Sequence, residues 1–232
     1  MKPDKYYSAS QLSMFLGRYD QWKTSYIDGQ KPPTSREQAI GKVVHSAVHA
    51  YWLDNEPPLQ RFMSAFEEEK LNIPEEDLGN QMRIGLSLLD AYLESPLSQM
   101  HMWPGTPAKC TEWEFTAPIP GLDVPLYGII DLVTQDENRN PCLRDLKTAA
   151  KAQSLNACIK SVQRVVYQYA FRAVTGLDAP FVFDYVLKPP DGRIICRECP
   201  VASDDEIDKM LEDLKKMDEE VRGYGGMFSW KK

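Results

Sequence analysis

The sequence predicts an α/β fold with a central mixed β-sheet, flanking helices and a helical N-terminal region. Apolar residues repeat at helical spacing up to about residue 106 and then alternate as they do in strands. Further helical patterns interrupt and follow the strands, which is typical of a sheet covered by helices. We expect a single domain with a mainly helical part (1–106), an α/β core (107–202), and a C-terminal helix and tail (203–232).

The helices are predicted from capping residues and apolar faces. They cover residues 8–22, 35–53, 58–71, 76–94, 158–175 and 203–222. A serine opens the first helix, and Thr34 or Ser35 caps the second. The helix at 158–175 ends at Gly176, and the last helix begins with a capping box of Ser203 and Glu206.

Strands are predicted where apolar and polar residues alternate between turn sequences. They cover residues 109–118, 124–134, 142–148, 181–189 and 193–201, and residues 96–107 before the first strand are expected to form a loop. The short turn QDENRNP joins the second and third strands, and PPDG joins the last two. Each of these two pairs should therefore form a hairpin.

The composition restricts the location and covalent chemistry of the chain. Its 232 residues, 43% of them hydrophobic, can bury one sizeable core. No apolar run approaches the ~18 residues of a membrane span, and the N-terminus lacks the apolar segment of a signal peptide. We expect a cytoplasmic protein, bacterial or phage-encoded, without a membrane partner. The five cysteines lack disulfide spacing, and the Cys196–Cys199 pair falls on a predicted strand, so no redox or zinc site is expected.

The charge distribution leaves two interpretations open. A net charge of −7 argues against a nucleic-acid binder, because phosphates attract lysine and arginine. Residues 203–221 carry nine acids and three bases, whereas 141–175 carry six bases and only one acid, Asp145. The six bases are Arg144, Lys147, Lys151, Lys160, Arg164 and Arg172. They form either a basic lane for nucleic acid or a solvated helix face that happens to be basic.

Two predicted strands carry the residues that indicate chemistry. Asp131 lies within the apolar GIIDLV strand, where a carboxylate is costly to bury unless it is paired or binds a metal. Asp145 and Lys147 share one face of the next strand, and the hairpin can bring Asp131 beside Asp145. Two carboxylates and a lysine suit metal-assisted phosphodiester hydrolysis. The alternative is a cross-strand salt bridge between Lys147 and either aspartate.

Four motifs occur in one order along the chain. They are Ser8-Ala-Ser10-Gln-Leu12-Ser-Met-Phe15, Gly41-Lys-Val-Val-His45, Gly128-Ile-Ile-Asp131 followed by Asp145-Leu-Lys147-Thr148, and Gln163-Arg-Val-Val-Tyr167. In this combination the chain resembles the RecB-like exonuclease branch of the PD-(D/E)XK nuclease superfamily. The resemblance covers about residues 8–175 and implies a restriction-endonuclease-like core.

The resemblance implies roles for individual residues. The expected metal ligands are His45, Asp131, Asp145 and the backbone carbonyl of Leu146. Lys147 is the expected catalytic lysine, and an acid of the preceding strand, Glu112 or Glu114, should join the site, with Glu112 favoured. Residues expected to support the site or contact nucleic acid are Gln163, Tyr167, Thr148, Lys151 and Arg164.

Each assignment has a structural alternative. His45 can be a histidine of an apolar helical face, Tyr167 can be a core residue, and Glu112 and Glu114 can face solvent. His49 lies one turn after His45 and could form a two-histidine ligand pair with it. The glutamate of an H-E-x-x-H motif is missing between them, which argues against that pair.

The resemblance also sets expectations for cofactors. It implies Mg²⁺ or Mn²⁺. Many members of the family bind a 4Fe–4S cluster through one early and three late cysteines, and here Phe15-Leu-Gly-Arg18-Tyr19 and the C-terminal YGGMFSWKK supply none, so no iron–sulfur cluster is expected. No G-x-x-x-x-G-K-[ST] motif indicates an attached helicase. A stand-alone nuclease domain, as carried by phages and mobile elements, is therefore expected.

The leading hypothesis is a divalent-metal-dependent DNA nuclease that acts in DNA repair or recombination. Family analogy favours an exonuclease acting on single- or double-stranded DNA ends. One alternative is a non-catalytic DNA-binding or assembly module on a nuclease fold. Another is a DNA-trimming nuclease of CRISPR adaptation that works with a protein partner bound at the acidic C-terminal helix or at residues 54–78. Digestion polarity, strand preference, DNA against RNA and oligomeric state stay open.

Overall fold

A computed structural model describes residues 2–53, 56–104, 111–225 and 228. Within this part of the chain, strands form one mixed sheet, as the sequence predicts. The strands are β1 (His101–Met102), β2 (Thr111–Ala117), β3 (Leu126–Gln135), β4 (Pro141–Ala149), β5 (Phe181–Leu187) and β6 (Ile194–Cys199). Both β1 and β2 pair with the same edge of β3, and the order continues through β4 and β5 to β6.

The direction of pairing follows from the connections. The β3–β4 and β5–β6 pairs are the two predicted hairpins and are antiparallel. β4 and β5 are parallel, because the chain between them crosses over through helices. All seven residues of β5 are buried, as expected for a strand covered on both faces.

Helices cover both faces of the sheet. They are α1 (Ala9–Gly17), α2 (Tyr19–Tyr26), α3 (Arg36–Leu53), α4 (Pro58–Glu69), α5 (Leu78–Leu93), α6 (Leu155–Ile159), α7 (Val162–Thr175) and α8 (Asp204–Gly223). One apolar core joins α1, α2, α7 and α8 to one face of the sheet, with Trp22 and Phe171 fully buried in it. A second core joins α3, α4 and α5 to the opposite face through Leu146 and Val186. The fold therefore has three layers, with the sheet between two layers of helices, and each helical layer buries the apolar residues of one face of the sheet.

Several caps lie where the sequence predicts them. The Ser8 hydroxyl accepts a hydrogen bond from the Gln11 amide at 3.3 Å and so opens α1. Gly176 ends α7 with a φ of 75°, in the left-handed region that favours glycine. The capping box of α8 is present.

Three predicted boundaries were wrong. The helix predicted at 8–22 is divided at Arg18, whose φ of −151° is not helical, and the division brings the buried Trp22 ring to 5.0 Å from the Phe15 ring. The helix predicted at 158–175 is also two helices, because the Ser154 hydroxyl accepts the Ala157 amide hydrogen and starts α6 earlier. The loop predicted at 96–107 contains β1, and no alternation of apolar and polar residues indicates its pairing with β3. Residues 109 and 110 of the first predicted strand lie outside the described residues.

Two further findings concern membrane-spanning helices and the Cys196–Cys199 pair. Among the described residues, no helix combines the length and apolarity that crossing a membrane demands. Cys196 is exposed on β6, whereas Cys199 is buried in the core, as residues three apart on a strand point to opposite faces.

Candidate active site

The candidate site begins where β3 and β4 part. Their ladder runs from Gln135↔Pro141 to Leu132↔Arg144, so Asp131 is the first residue beyond it on β3. The Asp131 Oδ2 atom accepts a hydrogen bond from the Leu146 amide at 2.8 Å. Beyond the last backbone pair, the Asp131 side chain thus takes the place of a backbone acceptor for the Leu146 amide. This bond holds Asp131 at the point where β3 and β4 separate, which we call the fork.

Asp145 and Lys147 lie on the same face of β4, as the alternation predicts. The Lys147 Nζ atom is 2.6 Å from Asp145 Oδ2, so the lysine pairs along its own strand rather than across to β3. Asp145 is buried, while about two fifths of the Lys147 side chain (39%) is exposed. From α7, the Gln163 amide donates to Asp145 Oδ1 at 2.5 Å. Lys147 and Gln163 therefore hold the Asp145 carboxylate by its two oxygens, and the Lys147 ammonium is directed toward solvent.

The crowding of carboxylates shifts the proton affinities. Burial raises the pKa of Asp131 to about 6, and the neighbouring Asp145 carboxylate adds to the shift, while His45 and Lys147 oppose it. Burial lowers the pKa of Lys147, but Asp145 and Asp131 outweigh it, so this pKa lies above its usual value. The two carboxylates are thus near enough to repel each other, and Lys147, paired with Asp145, stays charged.

Tyr167 packs against the core from α7, near the Asp145 and Asp131 carboxylates. Its ring packs against Phe115 and Phe181, with centroids 5.5 and 6.0 Å away. Burial raises its pKa, and the Asp145 and Asp131 carboxylates add to the rise. The core-packing alternative for Tyr167 therefore describes its ring, and its hydroxyl lies within electrostatic reach of the carboxylates.

His45 approaches the fork from α3. Its Nδ1 atom is 3.6 Å from Asp131 Oδ2. A Cβ added to Gly41, one turn earlier, would meet the Thr148 Oγ1 atom at 3.1 Å. The glycine of the G-x-x-x-H motif thus lets α3 approach the end of β4 closely, and this approach brings His45 to Asp131.

Glu112 approaches the fork from β2. The pairs Thr111↔Leu132 and Trp113↔Ile130 leave Glu112 opposite Asp131, where the ladder has no pair. Its φ is 45°, a left-handed conformation rare for residues other than glycine. Glu114, the alternative, lies instead near Tyr127 and Lys2. Burial raises the pKa of Tyr127, a hydrogen bond with Tyr6 raises that of Lys2, and Glu114 adds to both rises. Of the two acids, Glu112 is the one at the site.

A groove of about 810 Å³ opens in front of these residues. Its walls come from α1, α2, the α2–α3 connection, α3, β2 and β4, and they include Lys31, His45, Glu112, Lys147 and Thr148. Its volume is in the usual range of ligand sites. The exposed end of Lys147 therefore faces a space large enough for a substrate.

The basic segment is not a continuous lane. Arg164 is fully buried and donates to the Pro200 carbonyl at 3.0 Å and to Gln168, while also pairing with Glu206. It therefore cannot contact nucleic acid, contrary to expectation, because its guanidinium joins α7 to the start of α8. Arg144 is also buried, in a two-contact pair with Asp184. Lys151 and Lys160 are exposed outside this network.

Sequence reasoning missed a hydrogen-bond chain behind the fork. The Thr111 hydroxyl donates to the Asp131 carbonyl at 3.2 Å, and the Thr111 oxygen lies 2.9 Å from His49 Nδ1. The other ring nitrogen, His49 Nε2, lies 3.4 Å from Glu112 Oε2. The i,i+4 spacing of His45 and His49 was the available signal, but the partners of His49, Thr111 and Glu112, come from β2, which only the fold brings near.

The sequence matches the family model of the PD-(D/E)XK nuclease superfamily over residues 6–224. The chain belongs to this superfamily. The match covers the fork, the groove and α8, and it confirms the resemblance carried by the four motifs. No curated protein matches the sequence.

Solved structures agree with the fold of this PD-(D/E)XK protein. A crystal structure from Eubacterium rectale, of a protein provisionally named an exonuclease, aligns with a TM-score of 0.64 and 15% identity. The alignment covers 97% of this chain and 84% of that one. The structure of SSO0001 aligns at a TM-score of 0.36 and 12% identity, over 90% of this chain and 82% of that one, and carries no argument. At these identities the likeness concerns the fold alone.

The donor set at the fork suits a hard divalent cation. No described group donates a well-directed hydrogen bond to the buried Asp145 Oδ2, whose neighbour is the Lys147 ammonium. That oxygen and the Asp131 carboxylate are ligands of the type that Mg²⁺ and Mn²⁺ prefer. Among the described residues, however, no three histidine, cysteine or acidic side chains are already gathered as a metal site. The chemistry of these donors therefore fits such a cation.

Proposed function

We propose that this chain is a divalent-metal-dependent deoxyribonuclease that hydrolyses phosphodiester bonds, acting as an exonuclease. The observation that carries the proposal is the arrangement of Asp131, Asp145 and Lys147 at the β3–β4 fork, open to the groove. A structural ion pair would need only one carboxylate for the lysine. Here a second carboxylate is held close to the first despite their mutual repulsion, and such an arrangement is typical of a functional site.

The metal-holding residues in this proposal are His45, Asp131, Asp145 and the backbone carbonyl of Leu146. A bound Mg²⁺ or Mn²⁺ would supply Lewis acidity and lower the pKa of a water molecule that attacks phosphorus. The Leu146 amide orients Asp131, and the Gln163 amide orients Asp145, so each carboxylate keeps its other lone pairs directed toward the fork.

Lys147 has the electrostatic role. Its ammonium is anchored by Asp145 and exposed toward the groove, where the scissile phosphate would lie. A fixed positive charge stabilises the negative charge that develops on the phosphoryl oxygens in the transition state. The raised pKa keeps this ammonium protonated at neutral pH. Glu112, on the opposite side of the fork, would contribute a further carboxylate to the site.

The substrate in the proposal is a DNA end lying in the groove. Thr148 lines the groove next to Lys147, and Lys151 follows on an exposed connection, so both can reach phosphates. Gln163 and Tyr167 support Asp145 from α7. The provisional name of the Eubacterium rectale protein motivates an exonuclease, although its likeness concerns the fold. The net charge of −7 does not exclude this substrate, because an acidic protein can present a local basic surface.

Digestion of end-labelled single- and double-stranded DNA with Mg²⁺ or Mn²⁺ tests the proposal. Wild-type protein should release mononucleotides or short oligonucleotides progressively from ends, and chelation should stop it. Asp145→Ala should abolish cleavage, whereas Asp208→Ala, which removes an exposed carboxylate of α8, should leave it unchanged. Cleavage by Asp145→Ala at the wild-type rate would contradict the proposal.

The same experiment separates the binding-module alternative. A non-catalytic module would bind DNA without metal and would produce no cleavage with any cation. The pairing of Lys147 with Asp145, with the Asp131 carboxylate nearby, favours catalysis, since binding alone does not require carboxylates facing a phosphate. Cutting within a covalently closed circle, where ends are absent, would replace the exonuclease assignment by an endonuclease one.

A further inference from the structure

A buried ion pair lies next to the fork and has no part in the proposed hydrolysis. The Arg144 Nε and Nη2 atoms each donate a hydrogen bond to one oxygen of the Asp184 carboxylate, both at 2.7 Å. Less than a tenth of either side chain is exposed (8% and 5%). Both residues line a small cavity of about 30 Å³ behind the fork, together with Asp131 and Leu146. The pair therefore belongs to the immediate surroundings of the candidate site.

Stability alone is a weak explanation for this pair. The cost of removing two charges from water is about as large as the gain from their attraction, so an apolar pair of similar volume is often equally stable or more stable. Leu146 and Val186 lie two positions beyond Arg144 and Asp184 on their strands, and both belong to the apolar core on that face of the sheet. Apolar side chains could fill the same space, so the two charges require another explanation.

The apolar pattern of β5 leaves its alignment with β4 open. All seven residues of β5 are buried, with Phe181 and Phe183 in the core on one face of the sheet and Val186 in the core on the other. A shift of one residue along a strand exchanges its two faces. In β5 such a shift exchanges hydrophobic residues for hydrophobic residues, except at Asp184, which is the charged residue of the strand. Asp184 is thus the residue that distinguishes one alignment from another.

The ion pair runs diagonally between the two parallel strands. Arg144 is opposite Val182 in the β4–β5 ladder. Asp184 lies two positions further along β5, opposite Leu146. A slip of one residue would turn the Asp184 carboxylate to the other face, and a slip of two residues would displace it by about 6–7 Å. Either slip would break both contacts with the guanidinium, so the pair specifies the alignment that the apolar residues leave open.

The alignment matters at the fork because β4 loses one neighbouring strand there. The β3–β4 ladder ends at Leu132↔Arg144. In the described ladders, the next residues, 145–147, are paired with β5 only. These residues supply the Asp145 carboxylate, the Leu146 carbonyl and the Lys147 ammonium. The position of all three groups therefore depends on how β4 is aligned with β5.

We propose that the Arg144–Asp184 pair fixes the register of β4 against β5 and thereby positions residues 145–147 at the fork. Arg144 and Asp184 are positioning residues, since they act through β4 from a buried place and do not contact the substrate. The inference rests on the proposed function, because the groups that it positions are those assigned to hydrolysis. Specifying register is also the best-supported general use of buried charges in proteins.

Replacing both charges by apolar side chains tests this role. Arg144→Met/Asp184→Leu removes the pair without leaving a single charge buried and unpaired. Its unfolding midpoint in urea should equal or exceed that of the wild type, because buried apolar residues replace the charges. Its kcat for DNA cleavage should fall about 10–10²-fold at unchanged KM, since the catalytic groups are misplaced. In nuclear magnetic resonance spectra, residues 145–147 should give more than one set of amide signals, because cores lose uniqueness before stability.

Two further variants make the test specific. Asp191→Ala/Arg193→Ala removes an ion pair at the exposed β5–β6 turn and should match the wild type in unfolding midpoint, kcat and amide signals. Arg144→Lys keeps the charge but loses the two-contact geometry of the guanidinium. It should therefore show a smaller loss of kcat than the apolar double variant.

The outcomes distinguish this inference from the proposed function. If the wild type cleaves DNA and Arg144→Met/Asp184→Leu cleaves it with the same kcat, the positioning role is overturned and the nuclease proposal stands. A strongly destabilised double variant would also overturn the inference, because the pair would then serve stability. If the wild type cleaves no DNA, the proposed function fails, and the amide signals of residues 145–147 in the double variant still decide the register role. Several sets of signals support it, and a single set overturns it.

Discussion

Asp145 and Lys147 stand two positions apart on β4, with Oδ2 and Nζ separated by 2.6 Å. The acid is buried and the base reaches the groove, so the buried carboxylate anchors a positive charge that is exposed at the surface. A strand permits this because residues i and i+2 share a face. The spacing in D-x-K therefore has a direct geometric meaning in this fold.

Lys147→Met tests the electrostatic role of the lysine. Because its charge acts chiefly on the transition state, we expect kcat to fall about 10²–10³-fold with little change in KM. Steady-state cleavage of a short labelled duplex measures both. Lys215→Met, at an exposed position of α8, is the control for charge loss alone. A rise in KM at constant kcat would instead assign Lys147 to substrate binding.

Asp131→Asn tests the electrostatic repulsion between the Asp131 and Asp145 carboxylates. The folded-state pKa of about 6 lies above the usual value of 3.8, so wild-type stability falls as the pH rises from about 4 through 6. At pH 7 the asparagine variant should be more stable by about 1–2 kcal/mol, and the difference should vanish near pH 4. Urea unfolding with chelator at both pH values measures it.

The same variant separates stability from function. Asparagine can still accept the Leu146 amide hydrogen, so the fold should be retained while cleavage is lost. A wild-type protein more stable than Asp131→Asn at pH 7 without metal would contradict the strain. Added Mn²⁺ should stabilise the wild type and have a smaller effect on the variant, because a ligand that binds only the folded state raises its stability.

Arg164→Met should lower stability without changing DNA binding, whereas Lys151→Ala should weaken DNA binding without changing stability. Arg164 is buried and bonds the Pro200 carbonyl and Gln168, so its loss should cost about 2 kcal/mol or more of unfolding free energy. DNA affinity of the folded variant should be unchanged. Lys151 is exposed, so Lys151→Ala should leave stability alone and weaken DNA binding, with a smaller salt dependence. Fluorescence anisotropy and thermal unfolding measure the two effects. Weakened DNA binding by folded Arg164→Met would contradict its structural role.

Gly41→Ala tests the close approach of α3 to β4. The new Cβ would meet Thr148 Oγ1 at 3.1 Å, so α3 or Thr148 must shift by a few tenths of an ångström. We expect a loss of about 1 kcal/mol in stability and a reduced cleavage rate, since His45 moves with α3. The double variant Gly41→Ala/Thr148→Ala should recover part of both losses. Additive effects in this cycle would show that the contact does not transmit the defect.

Much of the architecture could be predicted from local patterns. Periodicity separates helices from strands, and the Gly176 cap and the Ser203–Glu206 box mark helix ends through local geometry. The divided helices could not be predicted as readily. The break at Arg18 serves the burial of Trp22, which depends on partners far along the chain such as Phe228. Long-range packing overrides local propensity in such cases.

By itself, the sequence determined the α/β class, the two hairpins, and the placement of Asp145 and Lys147 on one face, because all of these follow from local periodicity and short turns. Motif order alone also sufficed to predict the superfamily. Only the tertiary structure decided that Arg164 is buried, that Glu112 rather than Glu114 lies at the fork, and that His49 meets Glu112. Those facts depend on how α3, β2 and α8 pack on the sheet, and contacts between distant segments leave no periodic signal in the chain.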